Sequence, residues 1–348
     1  MRLTLDGMSA FEYWMSVLQT PSFSTSWGPA AAFTSLEGRE CRELGQALLR
    51  TDGTPGSIDL LVNADSNRSH SSWVHCRCVS TSHTLPQGSI IQIGSGLYVV
   101  SPELCVLRLA TQLPRLAFLH AFTSLLGIYS FSSLDRQDLL ERKPILTKAR
   151  MQQYLNDTEG IPGHRIAQRA LPWVTERTAS PRETTMALAL RLPSKAGGHG
   201  LPEFEANCKV SLSEEAALLT TKSYVVADVA WPDDDIYLEY NSDKHHDNDE
   251  QLEFDFEKIT AMQRDGRIVV PISTRQFNSY EAFASIVNGV RKHLGVRCRM
   301  TDEVVERRRN THHKLLEIER SQRTSPSLIN TARWKYLFPR IDSDSWAA

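Results

Sequence analysis

The sequence predicts an α/β chain of the α+β kind, with a mixed sheet flanked by helices in its C-terminal part and a smaller α+β domain before it. Three observations carry this. At 348 residues the chain exceeds the size at which one hydrophobic core stops growing, which favours two compact units. Between Ser57 and Val100, short β-rich runs are punctuated by Gly88, Gly94 and Gly96, the pattern of a small sheet. From Pro181 to Leu294 the order reads helix, three strands, helix, strand, helix, which departs from the strict alternation of a doubly wound sheet.

Taken in order, residues 1–56 are expected to be a poorly defined N-terminal segment, a short helix from Ala10 to Leu18 ahead of a linker rich in Ser, Thr, Pro and Gly. Residues 57–177 hold the β-rich runs Ile58–Val62, Trp73–Val79, Ser89–Ile93 and Leu97–Val100. Ser101-Pro102-Glu103 then opens a helix, because Ser caps the free N–H groups, Pro suits the first position and Glu complements the helix dipole. A second helix is expected over about 115–127, a charged helical segment over 135–157, a break at Gly160-Ile161-Pro162-Gly163, and a helix over 164–176. Residues 178–296 form the larger α/β domain, with helices expected at 181–192, 249–265 and 279–294 and strands at 204–210, 223–230, 236–240 and 268–272. Gly197-Gly198-His199-Gly200 reads as a turn, since a strand rather than a helix follows it. Residues 297–348 are expected to hold a basic helix, with His312 and His313 exposed on it, and a weakly structured tail.

Composition narrows the function classes. With 41% hydrophobic and 23% charged residues the chain can bury sizeable cores, which excludes wholesale disorder. Lys and Arg number 39 against 41 Asp and Glu, so no global basic field exists and any polyanion must be bound by local patches. The longest apolar stretch, Leu116 to Tyr129, carries His120, Thr123 and Ser124 and falls short of the ~20 residues of a membrane span. The start, Met1 to Asp6, lacks the basic and apolar blocks of a secretion signal, which points to the cytoplasm and away from membranes. Six thinly spread cysteines are expected as thiols. His75-Cys76-Arg77-Cys78 has no second Cys/His pair at finger-like spacing, so its cysteines are expected to be buried or half-buried on a strand.

The chemistry concentrates in Tyr224 to Asn241. Two apolar strand runs each carry one carboxylate, Asp228 and Glu239, joined by the turn signal Pro232-Asp233-Asp234-Asp235. If that turn makes a hairpin, Trp231 opposes Ile236 and the same register sets Asp228 opposite Glu239, with Cβ atoms ~5 Å apart. Two like charges side by side in a half-buried sheet repel, and a divalent cation removes the conflict. Mg²⁺ uses one or two carboxylates and leaves its other positions to water and substrate phosphate. Twelve acids against one base between Asp228 and Glu257 keep bare phosphate away from this region unless a cation is present. Net positive charge lies further on, at Arg297, Arg299, Arg307, Arg308, Arg309, Lys314, Arg320 and Arg323, on a helix that could meet a phosphate backbone.

Asp228, then Glu239-Tyr240-Asn241, His245-His246 and a helix with Asp255 and Lys258 resemble the PD-(D/E)XK nuclease superfamily. More closely, they resemble its domains related to the very-short-patch mismatch repair endonuclease. Tyr98 to Glu103, Ser180 to Thr184 and Gly200-Leu201-Pro202 are similar to actinobacterial proteins that join such a domain to a region like the AbiEi antitoxins. The resemblance covers about 57–295 and implies a restriction-endonuclease-like fold over 178–296 behind an AbiEi-like region over 57–177. It implies Asp228 and Glu239 as ligands of Mg²⁺ or Mn²⁺, helped by the Tyr240 carbonyl. It also implies Glu183 as an accessory acid, His245 as a proton acceptor or phosphate contact, and Lys258 as the basic residue facing the site. The third motif position departs from the pattern: Asn241 stands where Lys or Asp is usual, and Ser242 where Gly is.

The expected function is therefore metal-dependent hydrolysis of DNA phosphodiesters, in defence or repair, with DNA as partner and a protein partner in a defence or toxin-antitoxin system. Because Asn241 cannot supply the charge of a lysine, the alternative is an inactive nuclease fold that acts as a DNA-binding or antitoxin-like regulator.

Overall fold

The computed structural model describes residues 3–18, 58–62, 74–78, 85–94, 96–132, 138–220, 222–241 and 249–324. The chain divides into two compact units, Met1–Pro172 with Ser321–Ala348, and Trp173–Arg320. Its class is mixed α/β of the α+β kind, as expected. No described helix is long and apolar enough to cross a membrane.

In the first unit β1 (Leu3–Leu5) leads into α1 (Gly7–Ser16), followed by β2 (Ile58–Val62), β3 (Val74–Cys78), β4 (Ile90–Gly94) and β5 (Leu97–Val100). Then come α2 (Pro102–Ala110), α3 (Arg115–Leu125), the short strands β6 (Tyr129–Phe131) and β7 (Leu139–Glu141), α4 (Lys148–Asn156) and α5 (His164–Ala170). Five strands make one sheet in the order β3-β2-β1-β5-β4, with β1 parallel to β5 and antiparallel to β2. The segment expected to be poorly defined thus supplies the central strand and the first helix. Its apolar residues explain this: Leu3, Leu5 and Trp14 are buried, and the Trp14 indole donates to the Val100 carbonyl at 2.9 Å. Asp6, wholly buried, accepts a guanidinium bond of 2.7 Å from Arg108 of α2.

The Ser101 cap holds as expected, its hydroxyl accepting from the Leu104 N–H at 3.3 Å. Two expected helices are shorter than the sequence suggests. The one expected over 164–176 stops at Ala170 and passes into a tight turn at Leu171–Trp173, and the charged stretch before α4 contains β7. Cys76 and Cys78 lie half-buried on β3.

The second unit runs α6 (Pro181–Arg191), β8 (Glu205–Ser211), α7 (Glu214–Ala217), β9 (Tyr224–Trp231), β10 (Ile236–Asn241), α8 (Asp249–Arg264) and β11 (Ile268–Ser273). The short helix α9 (Thr274–Asn278), then α10 (Tyr280–His293) and α11 (Asp302–Thr324), complete it. The four strands pair in the order β11-β10-β9-β8. β9 is antiparallel to both β8 and β10, whereas β11 lies parallel to β10 and so needs the crossover that α8 provides. Val210, Val225, Ala227, Ala230, Tyr237 and Val269 of the sheet form a core with Met262 of α8.

The glycine-rich turn before β8 is structural. A Cβ on Gly198 would meet the Leu192 carbonyl oxygen at 2.0 Å, so only glycine fits there. His199, beside it, is buried edge-on to Phe283. Part of the basic face expected on α11 is paired or turned inward. Arg307 and Arg309 pair with Glu303, Glu306 and Glu281, and Arg308, 1% exposed, bonds to the Gly198 carbonyl at 2.9 Å. His312 is also buried rather than exposed. It stacks on Phe283, and its Nε2 lies 2.8 Å from the Phe277 carbonyl, whereas His313 faces solvent as expected. Sequence counts positive residues on this helix, but tertiary contacts decide which of them remain available to a partner.

Candidate functional site

The hairpin β9–β10 sets the geometry. Pro232–Asp234 makes a tight turn and Asp235 takes a left-handed conformation (φ 54°), one that Asp tolerates better than most residues. The expected register follows: Trp231 faces Ile236, Tyr237 faces Ala230 and Leu238 faces Val229. Continued by one step it brings Glu239 to Asp228. There the ladder opens, and the Asp228 carboxylate itself accepts the Tyr240 N–H at 2.7 Å.

The break is shared with the neighbouring strand. The β8–β9 register pairs Ala206 with Val229 and Cys208 with Ala227 but skips Asn207 and Asp228. Asn207 has φ 49°, so the strand leaves extended geometry at this residue. The core reads the same interruption, taking Val225 and Ala227 at a step of two and then Ala230 at a step of three. Asp228 thus sits at a discontinuity of the sheet rather than in a regular pleat.

Around it converge the other expected residues. Glu239 is 3% exposed, and one carboxylate oxygen, Oε2, is ion-paired with the Lys258 ammonium of α8. Its other oxygen, Oε1, is buried and finds no hydrogen-bond partner among the described residues. Glu183 comes from the first turn of α6, where the Ser180 hydroxyl caps its N–H at 3.1 Å. The Glu183 carboxylate accepts from the Ala179 N–H at 2.8 Å, the Ser180 hydroxyl at 3.0 Å and the Asn207 amide at 2.6 Å. Tyr240 is anchored through its hydroxyl, 2.9 Å from that of Thr274.

The electrostatics agree with this convergence. Burial, and next the charge of Asp228, pushes Glu239 up to about 8. The same two causes push Glu183 up to about 7, against the three hydrogen bonds that favour its ionised form. Burial also raises Asp228, opposed by Lys258 and by the Tyr240 N–H. Asp255 of α8 adds a further negative charge that raises both Asp228 and Glu239.

The structure therefore gathers Glu183, Asp228, Glu239, Tyr240 and Lys258 in one place. Asn241 ends β10, half-buried and paired in register with Ser273. His245 lies outside the described residues, as does Lys244. Among the described residues no group of three or more His, Cys, Asp or Glu side chains is arranged as a metal cage. What the site offers is a carboxylate pair with one unsatisfied buried oxygen. Sequence reasoning missed Asn207. The available signal was a polar, left-handed-tolerant residue interrupting a strand run, which is common in turns and therefore easily passed over.

Comparison with family models, with curated proteins and with solved structures found no match.

Proposed function

We propose that the second unit is a restriction-endonuclease-like domain that hydrolyses DNA phosphodiesters with the help of a divalent cation. The observation that carries this is Glu239 Oε1, an orphaned buried carboxylate oxygen beside a second carboxylate, Asp228. A buried acceptor without a donor is costly, and a carboxylate pair meets the one or two such ligands that Mg²⁺ requires. The residues present thus fit Mg²⁺ or Mn²⁺. Asp228 and Glu239 would hold it, with the Tyr240 carbonyl adjacent in the chain. Bound there, the cation supplies positive charge to phosphate oxygens and lowers the pKa of a coordinated water.

The chain's own residues have distinct tasks. Lys258 fixes the Glu239 carboxylate through Oε2 and leaves Oε1 free. It is also a positive charge next to the site, where Asn241 contributes none. Glu183, with its raised pKa, can accept a proton near neutral pH. DNA in the cytoplasm is the proposed substrate and a defence or repair system the proposed setting, with residues 57–177 as an AbiEi-like region and a protein partner in a defence or toxin-antitoxin system. Asn241 favours a second reading, a nuclease fold that binds DNA without turnover.

One experiment separates the two. Mn²⁺ binding by calorimetry is measured beside cleavage of supercoiled plasmid and single-stranded DNA, for the native chain, Asp228→Ala and Glu239→Ala. Metal-dependent nicking that disappears in both variants is the expected result. Metal binding without nicking supports the regulator, and a folded native chain that binds no metal removes the catalytic reading.

A further inference from the structure

We propose that Asn207 is a positioning residue of this site, locking Glu183 beside Asp228 and thereby setting the affinity for the divalent cation; the proposal rests on the metal reading above. Asn207 is one of three described non-glycine residues with positive φ, together with Arg177 and Asp235. Asp235 is explained by the hairpin turn. Arg177 and Asn207 are joined to each other, since the Asn207 amide donates to the Arg177 carbonyl at 2.9 Å. Two residues in a sparsely populated backbone region, linked by one side-chain bond, mark a locally constrained stretch of backbone next to Glu183. The same amide nitrogen reaches Glu183 Oε2 at 2.6 Å, so its two N–H groups bridge a backbone carbonyl and a carboxylate.

The bridge has a specific effect on Glu183. Oε2 receives both the Ala179 N–H and the Asn207 amide, whereas Oε1 receives the Ser180 hydroxyl alone. A carboxylate oxygen has two lone pairs, so Oε2 is saturated and the spare capacity is confined to Oε1. The β8–β9 ladder also skips Asn207 and Asp228, so the left-handed turn of the strand falls level with that acid. The Asn207 side chain therefore orients Glu183 directly. Groups bonded to a metal ligand change metal affinity about 10–100-fold when removed, and Asn207, one step further out through Glu183, falls at the low end of that range.

The test is calorimetric titration of the full-length chain with Mn²⁺ alone, using Asn207→Gly, Asn207→Asp, Glu183→Gln and the double variant Asn207→Gly/Glu183→Gln. Asn207→Gly accepts the positive φ but lacks the amide, and Asn207→Asp keeps the shape but sets an oxygen against Glu183. The expected result is a Mn²⁺ affinity lowered about 10-fold in both, with a modest fall in the thermal midpoint of Asn207→Gly from its two lost hydrogen bonds. In the Glu183→Gln background the Asn207→Gly loss should shrink to less than about 3-fold, because the amide acts through Glu183. Equal affinity of native and Asn207→Gly protein overturns the proposal, and so does an undiminished loss in the Glu183→Gln background. A native chain that binds no Mn²⁺ overturns the metal reading and this proposal with it.

Discussion

Replacing Lys258 by Met keeps an apolar stem of similar length and removes the charge that faces Glu239. Burial and the charge of Asp228 push Glu239 up to about 8 in the folded chain, against a reference value of 4.5. Lys258 is one of the influences that lower it, so the variant carries Glu239 still higher. Below pH 8 both folded proteins keep the proton while both unfolded chains ionise, and the stability difference is constant. Above pH 8 the native protein releases the proton and its stability levels off, whereas the variant retains it and continues to lose stability at about 1.4 kcal/mol per pH unit. From pH 8 to 9.5 the gap should widen, by at most about 2 kcal/mol. Urea unfolding of both proteins, followed by circular dichroism at pH 6.5, 8 and 9.5, measures it. A gap that does not change with pH would show that Lys258 does not govern the ionisation of Glu239.

Two further outcomes follow from burial elsewhere. His312 is held at about 4, below its reference value of 6.5, chiefly by burial. The unfolded state therefore binds more protons between those values, and stability should fall by about 3 kcal/mol as pH drops from 6.5 to 4. In His312→Phe, acid unfolding curves should show a shallower decline over that interval. In the first unit, Asp6→Ala leaves the Arg108 guanidinium, 8% exposed, without its carboxylate. Loss of one partner of a buried pair costs about 3–5 kcal/mol, so chemical denaturation should detect a large drop that Asp6→Ala/Arg108→Met partly restores.

The second unit was legible because its signals are local. Pro232 to Asp235 fixes a hairpin of one length, and that length fixes which residue opposes which, so the approach of Asp228 and Glu239 could be derived without a fold. β1 was not legible, since Leu3-Thr4-Leu5 is too short to show a period and pairs only with distant partners, β2 and β5. Arg308 and His312 misled because polar residues are mostly exposed, and their exceptions depend on neighbours remote in the chain such as Gly198 and Phe277. Asn207 was invisible for a related reason: its partners Arg177 and Glu183 are brought to it by the packing of α6.

The turn at Pro232–Asp234 also makes one dimension of the site indivisible. Side chains alternate across a strand, so a single residue added between Trp231 and Ile236 would shift β10 by one step against β9 and carry Glu239 to the opposite face of the sheet. Most surface loops accept length changes freely. In this one, spacing behaves as part of the chemistry. Among descendants of this sequence that keep both carboxylates in use, length should vary in other connections and stay constant between Trp231 and Ile236.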